Sequence, residues 1–305
     1  MNNIIQISII RNLLLCIWIF IIAMAPLQNL AYLPLENIEP WGIGKILFII
    51  PELKSLIYTE FFLFFIKILT IILCICSLFF TKQKWLFLIT VFSIFIIDII
   101  IKSHNGFINH AQMASLYMLI IFAIFPNIKI LSINELLRKN QKITSNSIEY
   151  SDFLYLLKLV IIIPYSMLGF ERIVFGGLFN GFTLFYGDAL EKYILKTSYT
   201  HAKYTFNFFP DLYEIPTFAT LLNIGFLIVT LMELFSIGIL FSSLFRKIWV
   251  LIIIPFHIIT LFSMNIFFWE NVLLIIALFT INQRNQLRYD VGFGTFILKK
   301  LKLIR

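Results

Sequence analysis

The sequence predicts an all-α fold: a polytopic transmembrane helical bundle of about eight spans, with both termini cytoplasmic. Three observations carry that expectation. Of 305 residues, 60% are hydrophobic and only 13% are charged, about half the charge of an ordinary soluble domain. The apolar residues gather into runs that approach the ~20 residues a helix needs to cross a hydrocarbon core. The lysines and arginines stand at the ends of those runs, where they act as topology signals.

The first run, 13–25, follows Arg11 and ends in Ala23-Met24-Ala25, which resembles a signal-peptidase site. Pro26 comes directly after it and the chain stays apolar beyond. The run therefore reads as a retained first span, a cleaved signal being the lesser reading. Residues 27–57 carry Pro34, Pro40, Trp41 and Pro51 and read as an interfacial segment. Further runs fall at 58–80, 85–101, 111–125, 153–175, 215–245, 248–268 and 272–281. Some are short for a perpendicular span, and 215–245 is long enough to be tilted or to extend beyond the core. The polar stretch 132–151 reads as a cytoplasmic connection between two halves, too short to separate two domains. Residues 1–283 thus form one transmembrane domain and 284–305 a basic cytoplasmic tail.

Alternating spans put Arg11, Lys82 with Lys84, Lys129 with Arg138, Lys139 and Lys142, Arg246 with Lys247, and the basic tail on one side. This is the pattern of a multi-pass protein of the cell membrane, with the lipid bilayer as its first partner. The net charge of +8 does not indicate nucleic acid, because no basic stripe interleaves with stacking aromatics. Cys16, Cys74 and Cys76 all lie in apolar runs, the last two on different helix faces, so neither a disulfide nor a metal site is expected. No internal repeat and no glycine-rich phosphate cradle occur.

Ionisable groups inside the apolar runs are the candidate functional residues. The stretch 159–187 meets Pro164, passes Gly169, and reaches the charge pair Glu171-Arg172 before Gly176-Gly177 and Asn180-Gly181. It reads either as the mouth of a cavity or as a helix leaving the bilayer. Glu233 stands thirteen positions before Arg246 and His257 eleven after it. A hairpin turning at Arg246-Lys247 would face the two at mid-membrane, as a polar clasp or a proton-handling dyad. Asp98 and Lys102 are spaced as an i, i+4 helical pair. Asn109 and His110 begin a span, on the same side as Glu60, Asp98, Glu171 and Arg172. Lys67 lies deep in its run and is expected to find a carboxylate, Glu60 or Glu233; desolvation there would favour its neutral, basic form.

Taken together, Asn109-His110, Gly169-Phe170-Glu171-Arg172, Asn180-Gly181, Glu233, Pro255-Phe256-His257 and Phe267-Phe268-Trp269 resemble the HTTM (horizontally transferred transmembrane) family. Its members are bacterial relatives of vitamin K-dependent gamma-carboxylase, and the likeness runs from about residue 4 to 282. The resemblance implies an active side facing outward and, as cofactor, a reduced quinone. In the carboxylases a lysine at the end of Gly-x-x-Lys deprotonates the quinol, assisted by the histidine of Asn-His. His110 matches the histidine, whereas Arg172 occupies the lysine position. A guanidinium stays protonated at any working pH, so Lys67 or His257 would have to serve as the base. Short members of the family also imply a role in maturation of a small secreted peptide. Two classes follow: a membrane enzyme with His110, Arg172 and Lys67 at its centre, supported by Asn109, Glu171 and Asp98, or a non-catalytic factor for peptide export, binding or immunity.

Overall fold

A computed structural model describes residues 3–38, 45, 49–105, 113–137, 147–179, 181, 185, 190–192, 194, 215–264 and 268–280. The described residues are helical, with no strand among them. They divide into two compact units, Met1–Leu154 and Tyr155–Arg305. The division falls three residues beyond the polar stretch 132–151. Six helices are long and apolar enough to cross a membrane, and two shorter apolar ones, Met113–Ile124 and Trp269–Thr280, lie at two of the other expected runs.

In the first unit, α1 (Asn3–Met24) is followed by 3-10 turns at Leu27–Tyr32 and Leu35–Asn37, then α2 (Pro51–Ile57), α3 (Glu60–Phe79), α4 (Lys84–Asn105), α5 (Met113–Ile124) and α6 (Ile133–Leu137). Helix α3 packs on α1, α2, α4, α6 and the first 3-10 turn, and α5 packs on α1 and α4. Pro51 opens α2 at a position where its missing N–H costs nothing. The Thr59 hydroxyl caps α3 by accepting from Phe62 N.

Helix α1 begins ten residues earlier than the run 13–25 predicts, and this moves Arg11 from a flank to the interior. Arg11 is 2% exposed. Its Nη1 and Nη2 donate to Ser77 O in the last turn of α3, each at 3.2 Å, and its guanidinium lies 4.4 Å from the Phe87 ring. Lys67 does the converse, donating to Ala25 O just past the end of α1 at 2.8 Å. Both cations rest on carbonyls at the negative end of the neighbouring helix. Two helices are thus cross-braced without any carboxylate.

In the second unit, α7 (Ser147–Glu171, reaching back into the first unit) continues as a π-helical segment, Arg172–Leu178. Then come α8 (Pro216–Leu234), a 3-10 turn at Ser236–Leu240, α9 (Ser243–Met264), α10 (Trp269–Ile275) and a second π-helical segment, Ile276–Thr280. The single span expected over 215–245, tilted or extended beyond the core, is therefore two elements. Helix α8 stops at Leu234, and Gly238 lets the 3-10 turn lie against the Phe245 ring, whose atoms would stand 3.2 Å from any added Cβ. The turn of the hairpin falls there and not at Arg246-Lys247. Arg246 lies inside α9 and is 3% exposed.

Candidate functional site

Tyr165, Gly169 and Arg172 stand at i, i+4 and i+7, so α7 and its continuation present them on one face. Gly169 is where α8 comes closest. A Cβ there would overlap Leu234 N and stand 2.6 Å from Leu234 Cα and 2.8 Å from Glu233 C. Only a residue without a side chain fits this crossing. One turn further, Arg172 Nη1 donates to Glu233 Oε2 in an ion pair. The carboxylate side chain is 2% exposed and the guanidinium side chain 24%. The Arg172 guanidinium also lies over two rings, 5.0 Å from Phe226 and 6.0 Å from Phe256.

One turn before Gly169, the Tyr165 hydroxyl is hydrogen-bonded to His257 Nε2 of α9. Tyr165 and His257 are 6% and 4% exposed. The Tyr165 ring meets Trp249 edge-on at 5.3 Å, and His257 meets Phe268 at 5.5 Å. His257 Nδ1 is buried and has no hydrogen-bond partner among the described residues. Pro164 removes a helix donor from α7, and the Ser236 hydroxyl is held here, donating to Ile162 O at 3.0 Å and lying 2.8 Å from Ser166 Oγ. The result is a polar centre assembled from three apolar segments, with one ion pair and one aromatic–imidazole hydrogen bond a turn or two apart.

The expected Glu233–His257 pair is thereby corrected. Glu233 is the next-to-last residue of α8 and takes Arg172; His257 takes Tyr165. The hairpin turns at Ser236–Leu240, before Arg246, so the two residues are not equally far from it. Lys67 is likewise corrected: its partner is a carbonyl, and Glu60 instead accepts from the Tyr32 hydroxyl at 3.2 Å. Asp98 and Lys102 pair as their spacing predicts, at 2.6 Å. Lys67 and Asp98 belong to the first unit, whereas Arg172, Glu233, His257 and Glu171 belong to the second. Asn109, His110 and the tail 284–305 lie outside the described residues. Glu171 is exposed and lines an open, apolar cavity with Met167, Phe170, Phe175 and Leu234.

Sequence reasoning missed Tyr165, which the i, i+4, i+7 spacing with Gly169 and Arg172 could have flagged. It also missed that Arg11, Lys158, Arg246 and Glu270, at 2%, 4%, 3% and 5% exposure, are interior residues. Among the described residues no group of three His, Cys, Asp or Glu side chains is arranged to hold a metal ion. Arg172, which stands at the lysine position of the family motif, is a permanent cation bound by Glu233 and cannot take a proton from a quinol. Comparison with family models, curated proteins and solved structures finds no match to this chain.

Proposed function

We propose that this chain is a multi-pass protein of the cell membrane, related to the HTTM family, which acts on a peptide or lipid-soluble substrate at the outer membrane face. The observation that supports the reading is the polar centre Tyr165–His257 and Arg172–Glu233 within apolar helices. Ionisable side chains in spanning helices are costly, and where they occur they mark ligand and proton sites far more often than they add stability. The replacement of a lysine by Arg172 argues against carboxylation. An arginine held by one carboxylate can still orient an acceptor oxygen with its remaining N–H groups. The substrate class that the resemblance implies is a small secreted peptide undergoing maturation.

The test is the mass of a peptide encoded beside this gene. It is measured after secretion from cells carrying the parent chain, Arg172→Gln or His257→Phe. The proposal expects an altered mass when either residue is changed. Unaltered mass in both variants, with both proteins present in the membrane, removes the processing role. A second reading is favoured by the pairing of Arg172 and of Lys67: a non-catalytic factor for export, binding or immunity. It predicts normal peptide mass with reduced secretion or reduced tolerance of the peptide.

A further inference from the structure

Met167, Phe170, Glu171 and Phe175 follow at i, i+3, i+4 and i+8 on the outer face of α7 and its continuation. With Ser166, Leu234 and Ile237 they line an open cavity. Met167, Phe170, Phe175 and Ile237 are 66%, 59%, 59% and 47% exposed. On a membrane helix such a surface meets acyl chains. Glu171 is exposed within it, seven residues before the spanning segment ends at Leu178, which is about 10 Å along the axis. Glu171 belongs to neither the Lys102–Asp98 nor the Arg172–Glu233 ion pair.

A carboxylate bordered by hydrocarbon is costly unless a cation stands beside it. The described side chains sharing this face with Glu171 are methionine, phenylalanine, leucine, isoleucine and serine, and none of them supplies a cation. We propose that the cavity holds one membrane lipid with a primary ammonium head group, its ammonium on the Glu171 carboxylate and an acyl chain along Met167, Phe170, Phe175, Leu234 and Ile237. The lining supplies one negative charge and otherwise only apolar contact, as one ammonium head and one chain require. An anionic head group is repelled. This inference rests on the bilayer reading above and not on the substrate reading. Lipid retention and peptide mass are separate measurements, so either can fail alone.

The test uses the full-length protein in bilayer discs of equal phosphatidylethanolamine and phosphatidylglycerol, with retained lipid counted by native mass spectrometry after release into detergent. The expected result is one phosphatidylethanolamine per chain, retained about tenfold over phosphatidylglycerol, the size of a charge-assisted hydrogen bond. Glu171→Gln abolishes the preference, Glu171→Lys reverses it, and Glu171→Asp, which keeps the charge, preserves it. Equal retention of the two lipids by the parent chain overturns the proposal, as does a preference that survives in Glu171→Gln. Displacement of the lipid by an added lysine-bearing amphipathic peptide also overturns it, in favour of a peptide groove.

Discussion

The carboxylate of Glu233 is almost fully covered, while the Arg172 side chain is a quarter exposed and rests on two rings. The two halves of the pair therefore differ in what their loss leaves behind. Arg172→Gln strands a buried charge and is expected to cost about 3–5 kcal/mol. Glu233→Gln leaves a cation that can turn toward the membrane surface and keep its ring contacts, so the smaller loss is expected there. Thermal unfolding of the detergent-solubilised protein checks the order. A second residue-scale prediction concerns Glu135. Its Oε2 accepts from Ser132 N at 2.8 Å and from Ser132 Oγ at 3.0 Å, while Glu135 N donates to Ser132 Oγ at 3.3 Å. This is a reciprocal cap on α6. The backbone N–H of Ser132, foremost, holds the carboxyl below the ordinary glutamate range. A lowered carboxyl gives stability that is present above the unfolded-state pKa and lost as pH falls through the folded one. Hydrogen exchange at α6 amides should accelerate below about pH 4 in the parent chain and show no such acid step in Glu135→Gln.

Helices α7 and α8 can bring Arg172 to Glu233 because Gly169 leaves nothing between them. Gly169→Ala forces the crossing apart and is expected to cost about 1–3 kcal/mol as an overpacked contact, with loss of the ion pair. In that background Arg172→Gln should add little further destabilisation, which thermal unfolding of the single and double variants would reveal. The small residue at 169 was legible in the sequence, but its partner was not. Leu234 lies there because α8 ends, and that ending was hidden because Phe235, Ile237, Ile239 and Leu240 are as apolar as the helix before them. Periodicity cannot separate a 3-10 turn from a helix when every position is greasy. Arg246-Lys247 misled for the opposite reason: a basic pair is the usual sign of a loop, yet here Arg246 is interior to α9. Arg11 was misread in the same way, since its hydrogen-bond acceptor is Ser77 O across the unit, which leaves no mark beside it in the sequence.

At the scale of the whole molecule, composition revealed the class of fold. An apolar fraction of 60%, gathered in runs near bilayer length, points to helices, which satisfy their own backbone hydrogen bonds. The local pairing of charges was legible only where partners are near in sequence, as with Asp98 and Lys102. Arg172 and Glu233 are sixty-one residues apart, and no spacing rule reaches that far. With eight spans, the six long apolar helices and the two shorter ones, the chain ends on the side where it starts, so a reporter fused after Arg305 should fluoresce in the cytoplasm. A reporter active only outside the cell would reverse the orientation drawn from Lys82, Lys84 and Lys129. The pairing of Arg172 with Glu233 is tested most directly by a double-mutant cycle on unfolding of the solubilised protein, using Arg172→Gln, Glu233→Gln and the two combined. A coupling energy above about 1 kcal/mol is expected for residues in contact, and effects that add within about 0.5 kcal/mol would contradict the pairing on which the polar centre depends.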